Sequence, residues 1–161
     1  MIRKPRQLCS IAVLVFVIAN ISRVTAQEDF PMYRASIIEL PTSRETGFSY
    51  VFGVGAINDH GQFVGTFSDV LGDRAYLWDA TGRTELTPLT SANDINNESQ
   101  IVGRATFIDG TRAAIWRDGE VTDLGVLLGD NTSHGGAINS AGNVTGSSGA
   151  FPNSRAFFWD G

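Results

Sequence analysis

From Val54 onward, apolar and polar residues alternate in short runs that Gly, Asn and Asp interrupt. Residues 62–68 put Phe63, Gly65 and Phe67 on one face and Val64 and Thr66 on the other. Alternation of period two, rich in β-branched and aromatic side chains, predicts a strand. Gly72-Asp73 then marks a turn, and residues 74–79 predict a second strand, with Ala75 and Leu77 opposite Tyr76 and Trp78. Both of its faces are apolar, which predicts packing on two sides, as in stacked sheets. Thr81-Gly82 turns the chain into a third strand at 84–86, and the apolar piece at 54–57 is a fourth. Between that piece and residue 62, Asn58 to Gly61 read as a tight turn. An Asn side chain bonds backbone two residues on, and Gly accepts positive φ.

The same pattern comes round three times. The Ile-Asn phrase that runs from Ile57 to Gly65 recurs from Ile95 to Gly103 and from Ile138 to Gly146. An Arg-Ala-x-x-Trp phrase follows each, at Arg74–Trp78, Arg112–Trp116 and Arg155–Trp159. From each Ile to its Arg (57 to 74, 95 to 112, 138 to 155) is a constant 17 residues. A period near 40 residues marks a repeat architecture. The second copy has Ser99 where the others have Gly61 and Gly142, so its turn either bends differently or carries strain. Gly65, Gly103 and Gly146 fall in mid-strand, where glycine signals the close approach of a neighbouring backbone or side chain, the repeat's own Trp among the candidates. Residues 37–40 match 121–124, whereas the last copy stops at Trp159-Asp160-Gly161. Either this early strand completes the last repeat in permuted order or the chain is a piece of a longer array.

These phrases, I-N-x-x-G-Q-x-V-G, then R-A-x-x-W-D, then x-D-L-G, resemble the HAF repeat of bacterial extracellular proteins. The resemblance covers roughly residues 35 to 161. Arg117 departs from the pattern where the other copies have Asp79 and Asp160. What the resemblance implies is a secreted β-repeat protein with propeller-like blades and no catalytic residue to carry over. The expected fold is therefore all-β. Three repeats of about 40 residues and four strands each would stand as blades in an open or incomplete arc, since closed rings take about four or more. A β-trefoil is the alternative. Copies of the chain would otherwise have to pair to complete a ring.

The N-terminus changes the composition that matters. Arg3, Lys4 and Arg6 precede an apolar run from Ile11 to Ala19, and Val24-Thr25-Ala26 offers a cleavage site. That is the layout of a secretory signal peptide over residues 1–26, with 27–34 a linker and 35–161 a single β-repeat domain. The run is too short to span a bilayer, which takes roughly 20 residues. Export to the periplasm, cell surface or medium follows. Of 12 basic residues, Arg3, Lys4, Arg6 and Arg23 leave with the leader, and all 17 acids stay, so the remainder carries a formal charge of −9. Such a surface argues against nucleic acid and anionic membrane as partners, since both need clustered positive charge. Cys9, the single cysteine, also lies in the leader. The domain must then hold by its core.

Candidate chemistry is sparse. Arg74, Arg112 and Arg155 read as structural ion pairs or cation–π partners near acids such as Asp73 and Asp109. Trp78, Trp116 and Trp159 read as core residues of a strand packed on both faces. No histidine pair has metal-ligand spacing and no calcium loop is present, so neither metal nor cofactor is implied. His-Gly-Gly at 134–136 has no nucleophile elbow to serve. Residues that break the repeat are better candidates for binding, because loops carry function more often than their scaffold. These are His60, Asp69, Asp130, Asn131 and His134, the last three in a longer loop at 129–136. The reading that follows is a secreted binding or scaffolding module for extracellular polysaccharide or protein. Its rivals are a glycan-active hydrolase with paired acids drawn from Asp69, Asp73, Asp109 and Asp130, and a fragment without function of its own.

Overall fold

The computed structural model describes residues 50–69 and 72–161. The leader expected at 1–26, the linker at 27–34 and the strand expected at 37–40 lie outside the described residues. What is described is all-β and without helix: 11 strands in three antiparallel sheets. The first sheet is a meander of β1 (Tyr50–Ile57), β2 (Phe63–Asp69), β3 (Gly72–Asp79) and β4 (Gly82–Glu85). The second repeats it with β5 (Leu89–Ile95), β6 (Ile101–Phe107), β7 (Gly110–Arg117) and β8 (Glu120–Asp123). In the third, β9 (Ser133–Ile138), β10 (Val144–Ser148) and β11 (Arg155–Trp159) make three strands instead of the four expected. Each sheet holds one copy of both phrases. The sheets stay separate and open, without the closure into one barrel that a β-trefoil would need.

Local chemistry explains the turns. In all three Ile-Asn turns the Asn Oδ1 accepts two backbone N–H groups. They come from His60 and Gln62 (3.1 and 3.0 Å), Glu98 and Gln100 (3.1 and 2.9 Å), and Ala141 and Asn143 (both 2.9 Å). The last turn residue takes positive φ: 74° at Gly61, 83° at Gly142 and 58° at Ser99. Ser99 therefore bends as the glycines do. A side chain in that region costs about 1–2 kcal/mol, offset here by a hydrogen bond from Ser99 Oγ to Gln62 Oε1 of the preceding sheet (2.7 Å).

The mid-strand glycines answer to backbone. A Cβ on Gly103 would overlap the carbonyl oxygen of Ser91, and one on Gly146 the carbonyl oxygen of His134. At Gly65 it would sit 3.1 Å from the Gly53 carbonyl and 3.4 Å from the ring of Trp78. Gly53, Ser91 and His134 each lie four residues before their Ile, at or beside a register shift in the first strand of the sheet. The bulge aims that carbonyl at the glycine. Of the three, only Gly65 has a Trp ring among its nearest neighbours.

Sheets stack through their first strands. β5 lies against β1, β2 and β3, and β9 against β5, β6 and β7. Val64, Ala75 and Leu77 of the first sheet meet Leu89, Ala92, Ile95 and Ile101 of the second in one core, joined by Trp116. Val102 and Ile115 meet Ile138 and Val144 of the third in another, joined by Phe157 and Trp159. Leu86, fully buried just past β4, hydrogen-bonds Ala75 O as Leu124 does Ala113 O (both 2.9 Å). Trp78 instead stacks on Phe63, rings 5.0 Å apart and 2° from parallel, beside Phe67 and Tyr76.

A ladder of Asn side chains ties the stack together. Asn58 Nδ2 donates to Asn96 O, and Asn96 Nδ2 to Asn139 O, each at 3.0 Å. One amide thus closes its own turn and reaches the next sheet. Asp94 adds a carboxylate oxygen that accepts the Ile138 N–H at 2.9 Å.

Candidate binding groove

Two adjoining hollows open where β5 and β9 cross the sheet before them. The larger, about 470 Å³, is lined by Thr90, Arg104, Thr106, Thr111, Thr132 and His134, among others. The smaller, about 340 Å³, is lined by Thr66, Ser91 and Asn93 along with backbone of β1. Asp73 and Arg104 line both. The larger hollow is polar and rich in hydroxyls because its walls carry Thr and Ser, whereas Gly53, Val54, Gly55 and Ala92 make the smaller one more apolar.

Arg104 is its cation. The half-buried side chain has no ion pair among the described residues, and its Nε is buried without a hydrogen-bond partner. Its guanidinium lines the open space with donors suited to carboxylate, sulfate or hydroxyl oxygens. Asp73 is held by a 2.5 Å hydrogen bond from Ser68 Oγ. His134 stands on β9, opposite Ser147, and not in a loop as its Gly-Gly neighbours suggest. Those glycines lie in the strand paired with β10, and Gly135 is glycine because a Cβ there would press into Val102. The His134 Nε2 lies 3.0 Å from Asn93 Nδ2, which also donates to Gly135 O at 2.6 Å. An amide nitrogen only donates, so Nε2 accepts and the neutral ring carries its proton on Nδ1. Burial first, and then the charge of Arg104, hold the imidazole below its usual range.

The remaining repeat-breaking residues do not gather here. His60 sits exposed in the turn joining β1 to β2, at the far end of β2 from Asp73. Asp69 closes β2 opposite Gly72; its side chain lies outside the described part. Asp130 is half-buried, accepting from Ser148 Oγ at 2.7 Å and Arg155 at 2.9 Å. Those two partners, the hydroxyl foremost, draw its carboxyl below the usual range. Asn131 is exposed, with its backbone carbonyl beside Gly110. Arg112 bridges Asp109 and, at 2.7 Å, Asp123. Arg74 is half-buried at the corresponding position of β3.

Among the described residues Asp73 is the carboxylate that lines the groove, since arginines engage Asp109 and Asp130. No three His, Cys, Asp or Glu among the described residues are grouped to hold a metal ion. Arg104 is outside the residues expected from the sequence, although the pattern marks it: its counterparts are Thr66 and Ser147, both small and uncharged. A charge in a column of hydroxyls was the available signal. No family model, no curated protein and no solved structure matches this chain.

Proposed function

We propose that this chain is an exported β-repeat protein of the HAF type, an extracellular or cell-surface module that binds polysaccharide in the groove centred on Arg104. In this reading its three repeats are propeller-like units of four strands. One observation carries the function. A guanidinium without an ion pair among the described residues lines a groove whose other polar walls are Thr and Ser hydroxyls, the Asn93 amide, the His134 imidazole and the Asp73 carboxylate. Polyhydroxylated ligands are recognised by such sets of fixed donors and acceptors. Acidic sugars gain most, because hydrogen bonds between charged groups are about twice as strong as neutral ones.

Titration against neutral and uronic-acid oligosaccharides tests it. The acidic set should bind, and Arg104→Ala should weaken that binding about tenfold or more while leaving the fold intact. Equal binding by Arg104→Ala, or no binding of any saccharide, would overturn the reading.

A further inference from the structure

Two columns of the repeat that otherwise hold small hydroxyls each carry one charge, and both charges come to the same groove. Arg104 has Thr66 and Ser147 as counterparts, each directly after its mid-strand glycine. Asp73 has Thr111 and Ser154, each directly before the Arg of the Arg-Ala phrase. The other sheets form with hydroxyls at these positions, so the scaffold requires neither charge. Stacking brings the two together. Arg104 on β6 pairs with Ser91 of β5, and Asp73 on β3 pairs with Ser68 of β2, two residues past Thr66. The N–H of Ala92, next to Ser91, donates to Thr66 Oγ1 at 3.1 Å and so ties β5 to β2 at this point. Asp73 and Arg104 thus line both hollows from neighbouring sheets. No ion pair joins them, whereas Arg112 and Arg155 each close on a carboxylate, at 2.7 and 2.9 Å. A ligand that carries both charges satisfies both groups.

We propose that Asp73 sets the specificity of this groove, selecting a polysaccharide in which an acidic sugar neighbours an amino sugar with a free ammonium. Arg104 takes the carboxylate and Asp73 the ammonium, each through charge-assisted hydrogen bonds. Thr90, Thr106, Thr111 and Thr132 line the larger hollow and offer hydroxyls to those of the sugars. Asp73 also acts against rival ligands. A run of uronic acids sets a second carboxylate beside it, and like charges so placed are disfavoured. An acetyl group on the amine removes the charge that Asp73 would bind. The inference rests on the polysaccharide reading above and adds which acidic sugars the groove takes.

Calorimetric titration of the whole chain with three tetrasaccharides decides it: glucuronic acid alternating with glucosamine, the same oligosaccharide N-acetylated, and oligogalacturonate. The free-amine form should bind about tenfold or more tighter than the N-acetylated form, with oligogalacturonate the weakest. Asp73→Asn, its fold checked by thermal melting, should erase the preference for the amine and strengthen the binding of oligogalacturonate. A damaged fold would not produce that gain. If the amine and N-acetylated forms bind alike and Arg104→Ala weakens both, the polysaccharide reading stands and the role of Asp73 is overturned. A preference for the amine that persists in Asp73→Asn overturns it as well. So does a tetrapeptide of alternating glutamate and lysine that binds as tightly, since the hydroxyl walls would then select nothing. No binding of any saccharide overturns both readings.

Discussion

Ser91 and Gly103 show how little room a single atom has in this fold. The Ser91 carbonyl occupies the space a methyl group would need, and main chain cannot swing aside as a long side chain can. Gly103→Ala should therefore cost ~2–3 kcal/mol of stability in urea unfolding, as overpacking does, despite the entropy alanine removes from the unfolded chain. Gly53 has open space around it. Gly53→Ala is the control, expected within about 0.5 kcal/mol of wild type. His134 gives a pH test. Its imidazole titrates below the ordinary histidine value of 6.5 when folded, because it is buried and faces Arg104, so the unfolded chain binds the proton more readily. Its contribution is intact above about pH 6.5 and declines as the pH falls through that value towards the lower folded one. His134→Gln should flatten this part of the stability profile in denaturant titrations. An unchanged slope would show that the ring is not held neutral.

At the level of strands and turns, the Asn ladder separates two jobs that one residue type performs. Asn96 closes its turn with Oδ1 and reaches the third sheet with Nδ2, whereas Asn139 closes its turn and reaches no further sheet among the described residues. Asn96→Ala should cost roughly 3 kcal/mol and Asn139→Ala about 1 kcal/mol, read from chemical denaturation. Equal costs would mean that the inter-sheet bond adds nothing. Strands and turns were legible in the chain for a physical reason: period-two alternation, Asn at the turn entry and Gly at positive φ are local signals. Even Ser99 keeps the common bend, because the Asn cap and the stacked neighbour dictate φ more strongly than the residue's own preference. What local signals could not give was the partner of each face. His134-Gly135-Gly136 has loop composition, yet it is strand paired with β10, and Gly135 answers to Val102 and Gly103 of another sheet. The groove stayed hidden likewise. Thr90, Arg104 and His134 lie on β5, β6 and β9 and meet only once the sheets stack.

For the molecule as a whole, stability depends on three small sheets sharing their cores. None has a core of its own large enough to stand alone, as the clusters spanning neighbouring sheets make plain. Repeat stacks of this kind gain stability from nearest-neighbour contacts, so short ones unfold as a unit. The three tryptophans provide one reporter per sheet. In the stack Trp116 and Trp159 lie against the cores they share with the preceding sheet, and Trp78 lies within its own aromatic cluster. Three variants, each keeping one Trp and carrying Phe at the other two, isolate these reporters. Followed by fluorescence through urea unfolding, each should show a midpoint that coincides with the circular-dichroism midpoint of the same variant. A Trp159 reporter that loses its buried signal well before the backbone unfolds, or that never shows a transition, would contradict a single stack of equivalent sheets.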